Sequence, residues 1–250
     1  MKMLRFKNIF QNNQGSTTQS GFTLVEISIV MIIIGLLISG IFGGMKLVDN
    51  ANVQKTVQDL KAIESAALTF RDTYRALPGD IRNPNTRIPN CTVAPCATTG
   101  NGNRVIGTAN LFEAAITNTD ENFLFWHHLQ AANLLALNYN NSMDMEFGEG
   151  QPSSPFGAGY RISNVTGNWW TGTNFIGSIL FISASANANA FTTAVNCNLL
   201  GAVDRKFDDG RQLTGAFQAW SCANEWPFTA STIEYIGASV GTGIYDLRAF

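Results

Sequence analysis

Residues 20–26 read Ser20-Gly21-Phe22-Thr23-Leu24-Val25-Glu26, and residues 27–45 continue as ISIVMIIIGLLISGIFGGM. From Phe22 to Met45 the only charge is Glu26. About 20 predominantly apolar residues suffice for a helix to cross a bilayer, so this run predicts a membrane-spanning helix over residues 22–45. Upstream, residues 1–21 carry Lys2, Arg5 and Lys7 and no acid. The positive-inside rule places that basic leader in the cytoplasm and everything after Met45 on the other side. A cleaved secretory signal has an apolar core of about 7–15 residues closed by a small-x-small site, and this run is longer. A carboxylate is costly inside a membrane helix, about 2.5–3.5 kcal/mol at mid-bilayer on insertion scales, and is usually functional. Glu26 lies one helical turn from Phe22. An amine on Phe22 of a neighbouring copy would neutralise it, and that amine exists only if the chain is cut between Gly21 and Phe22. Gly21 offers no side chain to obstruct a protease at that bond.

At these residues the sequence resembles the class III signal of type IV pilins and type II secretion pseudopilins. The likeness consists of the basic leader, then Gly21, Phe22, Thr23, Leu24, Val25 and Glu26, then an unbroken apolar helix. It implies removal of leader 1–21 by a membrane prepilin peptidase, N-methylation of Phe22, and a role for Glu26 in filament register. It further implies other pilin or pseudopilin subunits and an inner-membrane assembly platform as partners. Two departures stand out. The leader is longer than in many members, and the apolar run has no Pro, although Gly35, Gly40, Gly43 and Gly44 could loosen the helix instead.

Beyond Lys46 the chain turns polar but stays periodic. Val53, Val57, Leu60, Ile63, Ala67, Phe70, Tyr74 and Leu77 recur every three or four residues, with Lys55, Asp59, Lys61, Glu64, Arg71 and Asp72 mostly on the other face. Pro78-Gly79 ends the pattern. One helix from Phe22 to Leu77, about 84 Å long, is therefore expected. Its segment 46–77 would present an apolar stripe to a globular head at 78–250; a partner-helix coiled coil is the competing use of the stripe.

Overall composition fits this division. Charged residues are 14% and hydrophobic residues 45% of the 250, and mean hydropathy is +0.03. The formal net charge of −2 falls by three, to −5, once Lys2, Arg5 and Lys7 leave with the leader. Binding nucleic acid depends on neutralising phosphates, so no extended nucleic-acid surface is expected.

All four cysteines lie past the membrane span, in an oxidising compartment. Four cysteines allow three pairings, and the local solution pairs Cys91 with Cys96 and Cys197 with Cys222. Zinc is the alternative for the CxxxxC pair, but the spacing is loose. Residues 83–110 have loop composition and suggest an exposed insertion. Residues 120–137 suggest a helix capped by Thr119, with Trp126, Leu129, Ala132 and Leu135 repeating along one face. His127 and His128 point about 100° apart on a helix and cannot easily share a ligand; surface or partly packed positions suit them. Strands are expected at Gly159–Val165, Phe175–Ser183, Leu213–Trp220 and Ile233–Ala238, with a short helix at Thr192–Phe207 between the second and third. A long N-terminal helix packed on an antiparallel sheet is an α+β arrangement. Pilins and pseudopilins have such a head.

Two further segments resemble a subgroup of pilin-like prepilins: Arg75-Ala76-Leu77-Pro78-Gly79-Asp80, and Asp204-Arg205-Lys206-Phe207-Asp208-Asp209-Gly210. Asp204, Asp208 and Asp209 repel unless solvated or bridged, and calcium takes clustered oxygen ligands of this kind, although the EF-hand spacing is missing. A solvated turn is the plainer reading. Trp169-Trp170 could stack on a sugar or protein, or simply pack in the core. There is no HExxH and no Gly-rich phosphate loop, so neither an enzyme nor a resident cofactor is expected. The expected role is a structural subunit of an envelope-spanning filament, a type IV pilus or a secretion pseudopilus. It would be single-pass in the inner membrane with its head in the periplasm before assembly. The alternative is a minor tip pilin whose head binds a surface, DNA or a secreted protein.

Overall fold

A computed structural model describes residues 21–107, 116–137, 140, 142–165, 177–183, 186, 195–212, 214–220, 222 and 240–247. The chain divides into two compact units, Met1–Lys46 and Leu47–Phe250. Helix α1 spans Leu24–Tyr74. It starts two residues later and ends three earlier than the sequence pattern suggests. At its far end Arg75 is left-handed (φ 52°), which breaks the helix before Pro78. The Arg87 guanidinium then donates to the carbonyl of Tyr74, satisfying one of the orphan acceptors of the last turn.

In the first unit, every residue from Leu24 to Lys46 is exposed. Among the described residues this is the one helix long and apolar enough to cross a membrane.

In the second unit the exposure pattern changes. Val53, Val57, Leu60, Ile63, Ala67 and Phe70 are all buried, as their spacing requires. They join one core with Tyr160, Ile162, Leu180, Ile182, Phe217 and Tyr245 of the sheet. Asp59 departs from the expected polar face: it is 3% exposed. The phenol of Tyr160 donates to its Oδ2 at 3.2 Å, and Lys55 reaches its Oδ1 at 2.5 Å from one turn away. A buried carboxylate persists only when paired in this way. Similarly, Tyr245 donates to Glu64 Oε2 at 2.7 Å. These two bonds set the height of α1 against the sheet in a way that apolar packing alone does not.

Among the described residues the sheet has five strands: β1 (Gly159–Val165), β2 (Gly177–Ser183), β3 (Val195–Asn196), β4 (Phe217–Trp220) and β5 (Val240–Asp246). All pairings are antiparallel, in the order β1-β2-β5-β3 with β4 also on β5. Register aligns Tyr160 with Ile182, Ile162 with Leu180, Leu180 with Tyr245, and Tyr245 with Phe217. Alternation therefore puts these six side chains on the face that meets α1. The opposite face carries Arg161, Phe181, Gln218 and Ile244 and is also buried. Burial lowers the pKa of Arg161 to about 10.

The expected strand at Gly159–Val165 forms as read. The second starts at Gly177, with 175–176 outside the described residues, and the expected Leu213–Trp220 shortens to Phe217–Trp220. The expected strand Ile233–Ala238 and the pair Trp169-Trp170 lie outside the described residues. Strand β5 was not anticipated, because VGTGIYD carries two glycines that interrupt its alternation.

Two helices flank the sheet. Of the expected helix Thr192–Phe207, residues 192–194 lie outside the described residues, Val195–Asn196 form β3 and Cys197–Phe207 form α4, which Asn196 caps by accepting from Asn198 N at 2.8 Å. Helix α3 covers Glu121–Ala131 rather than 120–137, and its N-cap is Asp120, not Thr119. It is not amphipathic: Glu121 through Leu129 are all buried. His127 and His128 are buried with it, 1% and 0% exposed, which corrects the surface expectation. A helix buried all round needs partners for its polar side chains. Asn122 Nδ2 donates to the carbonyl of Ile162 at 2.7 Å, which also covers the outer edge of β1.

The expected insertion, described as far as residue 107, is exposed at most positions as read, but it is not detached from the head. It begins with a one-turn helix, α2 (Pro84–Arg87), and anchors itself through buried Ile88, Cys91, Cys96 and Ile106. Both disulfides are present, Cys91–Cys96 and Cys197–Cys222. The first ties off a short loop and the second joins the start of α4 to the end of β4. Such cross-links stabilise mainly by restricting the unfolded chain.

His128 holds this region together. Gly79 N donates to its Nδ1 at 2.8 Å, so Nε2 bears the proton and donates to the carbonyl of Cys96 at 2.9 Å. Burial lowers its pKa to about 4. The neutral ring is thus the native form. Its contribution is complete above the unfolded value near 6.5 and is lost as pH falls from 6.5 to 4, a change on the order of 3 kcal/mol. Glu121 opposes this at the acid end, because burial raises its carboxyl pKa and protonation there favours the fold. Urea midpoints of the full chain should therefore drop between pH 7 and pH 5, and His128→Gln should flatten that drop. An unchanged slope in the variant would assign the acid lability elsewhere.

Candidate functional site

Residues 21–23 precede α1 in non-helical, exposed backbone, so the Gly21–Phe22 peptide bond is accessible. A Cβ placed on Gly21 would meet nothing within 4 Å, so the residue's smallness answers no packing need of this chain. Immediately after it, Thr23 and Glu26 bond reciprocally. Thr23 N and Thr23 Oγ1 both donate to Glu26 Oε2, at 2.9 and 2.8 Å, and Glu26 N donates to Thr23 Oγ1 at 3.3 Å. The carbonyl of Thr23 accepts from Ile27 N at 3.3 Å, the first rung of the helix. This is a capping box: the side chains of positions N-cap and N3 satisfy each other's orphan backbone donors.

Glu26 thus has a local role in starting the helix as well as its charge. Both bonds from Thr23 go to Oε2, so Oε1 takes part in neither. Thr23 is a residue that the charge argument passes over; the T-x-x-E spacing before an apolar run is the signal that finds it. The three residues singled out by sequence, Gly21, Phe22 and Glu26, lie within two turns of chain at the mouth of the exposed apolar helix.

The other candidates lie in the second unit. Asp204, Asp208 and Asp209 each place an oxygen within 4.8 Å of the others. Each also serves the turn after α4. Asp204 Oδ1 accepts from Gly210 N at 3.3 Å, and Asp209 accepts from Arg211 N at 2.9 Å and from the Thr214 hydroxyl at 2.5 Å. Asp208 accepts from Ala216 N and Phe217 N, carrying the chain into β4. Calcium takes six to eight oxygens, so three carboxylates are an incomplete set.

Gly79 and Asp80, from the segment ending the long helix, have a structural task. Asp80 accepts from Asn103 N at 3.0 Å and Arg104 N at 2.7 Å. Glu121 accepts from Asn101 N at 2.8 Å and Gly107 N at 2.9 Å. Two buried carboxylates therefore hold the backbone of residues 101–107 by its N–H groups, in place of a regular strand partner.

The chain thus joins one exposed apolar helix, long enough to cross a membrane, to an α+β fold. Residues 16–42 match the prokaryotic N-terminal methylation motif, the class III signal peptide of type IV pilins and pseudopilins. The motif supports a type IV pilin-like subunit and, with the long apolar helix, fits a single-pass inner-membrane protein. Proteins with this motif are typically structural rather than enzymatic. No curated protein and no solved structure matches the chain.

Proposed function

We propose that the chain is a prepilin cut between Gly21 and Phe22, N-methylated on Phe22, and polymerised through residues 22–45 into a type IV pilus or secretion pseudopilus. The observation that carries this reading is the accessible Gly21–Phe22 bond, set directly before the Thr23/Glu26 box and a wholly exposed apolar helix. Before assembly that helix has the bilayer to cover it; afterwards it has the helices of other subunits. The new amine of Phe22 on one subunit would pair with Oε1 of Glu26 on its neighbour, fixing register. The basic leader supports a cytoplasmic N-terminus and a periplasmic head. Partners are then the prepilin peptidase, like subunits and the inner-membrane assembly platform. A calcium ion on Asp204, Asp208 and Asp209 would stiffen the head; the clustering supports it, and the turn's own hydrogen bonds compete with it.

Gly21→Trp tests the processing step. Expressed with its own peptidase, the variant should accumulate as uncut precursor while the parent runs at mature size. Sheared filaments should contain the parent alone. Normal maturation of Gly21→Trp would place the cut elsewhere.

A further inference from the structure

Where α1 ends, Arg71, Asp72, Arg75, Ala76, Leu77 and Arg104 line an open pocket of about 380 Å³. Sites for small ligands begin at about this size. Three guanidiniums against one carboxylate leave a charge of about +2 in a chain whose overall balance is acidic. Arg71 Nε lies 3.8 Å from Asp72 Oδ1.

Basic residues at a helix C-terminus often serve the dipole or the last carbonyls. Here Arg87 takes that position at Tyr74, from outside the pocket. The pocket's own arginines are placed by other means. Arg75 is left-handed at the helix end, and Arg104 is left-handed (φ 68°) in the loop facing it. Non-Gly residues in this region are held only where their surroundings over-determine them. For Arg104 those surroundings are the Asp80 carboxylate on its N–H and the Asn103 side chain on Val105 N, at 2.7 and 2.8 Å. The loop is fixed before any ligand arrives, so little ordering entropy is lost on binding. Ala76 and the 6% exposed Leu77 supply an apolar floor.

We infer that this pocket binds a small organic dianion, two acid groups on a short carbon frame. One acid engages the helix-end arginines and the other engages Arg104, each in the planar fork geometry suited to carboxylate or phosphate. The carbon frame rests on Leu77, and exposed Asp72 takes a hydroxyl or amine of the ligand. This site goes beyond filament assembly and is independent of it, since none of its residues lies in the apolar segment.

Calorimetry on the full chain in neutral detergent tests the inference, with succinate and glycerol 3-phosphate as dianions and acetate as the single-acid control. At least one dianion should bind saturably in the millimolar range or tighter, and acetate about tenfold more weakly. Comparing the two dianions identifies the preferred acid. Arg104→Gln and Arg75→Gln should each weaken binding about tenfold, Arg75→Lys less, and Lys206→Gln on α4 not at all. Thermal midpoints of the variants show whether they remain folded. The inference is overturned if neither dianion saturates, if the arginine variants bind as the parent does, or if acetate binds equally well. It is also overturned if an oligonucleotide binds more tightly through the same arginines, which would make the pocket part of a polyanion surface.

Discussion

A Glu26→Ala chain is expected to be cut normally and to be lost from sheared filaments by at least about tenfold, a pair energy of roughly 1.4 kcal/mol or more per subunit. On the proposed reading the peptidase would need Gly21 and exposed backbone, neither of which the substitution touches. Assembly by the proposed pairing would need the carboxylate, because an amine drawn into an apolar filament core without a counter-ion is costly. The capping box complicates the experiment in a useful way. Alanine removes both the charge and the acceptor for Thr23 N, so fraying of the first turn could mimic a register defect. Glu26→Gln separates the two, since its amide oxygen still accepts from Thr23 while the charge is gone. If charge pairing sets register, Gln should fail almost as badly as Ala. If Gln restores filaments, helix capping is what Glu26 supplies and the register reading is wrong.

Gly79→Ala should cost the head about 3–5 kcal/mol, a large share of the 5–15 kcal/mol that holds an ordinary domain. Gly79 has φ 86°, and a Cβ there would sit 2.2 Å from the backbone oxygen of Glu121. That oxygen belongs to the first turn of buried α3, so neither side can yield without moving the helix. The same shift would disturb the Gly79 N–H bond to His128 and hence the Cys96 loop. Gly148 is the natural comparison: its φ is 91°, yet nothing lies within 4 Å of its added Cβ. Gly148→Ala carries the backbone strain alone, about 1 kcal/mol. Urea unfolding of both variants measures the difference; equal losses would show that the α3 contact is relieved at little cost.

The two glycines illustrate what can be read where. Gly79 is recognisable from its sequence as a helix stop after Pro78, but the close approach of Glu121 joins residues 42 positions apart and has no local signature. Asp59 shows the same division. Its place in a helix follows from periodicity, but only the arrival of Tyr160 makes a buried carboxylate tolerable there. His127 and His128 read as surface or partly packed residues because two adjacent imidazoles suit no shared ligand. They are buried because α3 is enclosed on every side, a property of what surrounds a helix rather than of its own spacing. Residues 83–107 look like an exposed loop by composition. They are exposed at most positions, yet the distant carboxylates of Asp80 and Glu121, with buried Ile88, Cys91, Cys96 and Ile106, tie them to the core.

The N-terminal segment was legible from residues alone: the basic leader, Gly21 before Phe22, the lone Glu26, and an apolar run long enough for a membrane helix. These depend on covalent order, helical period and transfer from water, all of which act over a few turns. The cysteine pairs and the stripe of α1 were legible for the same reason. Only the tertiary structure decided that β5 completes the sheet and that α3 lies inside the head. It alone brought Arg71, Arg75 and Arg104 around one pocket, because those contacts join segments whose local sequences carry no record of each other.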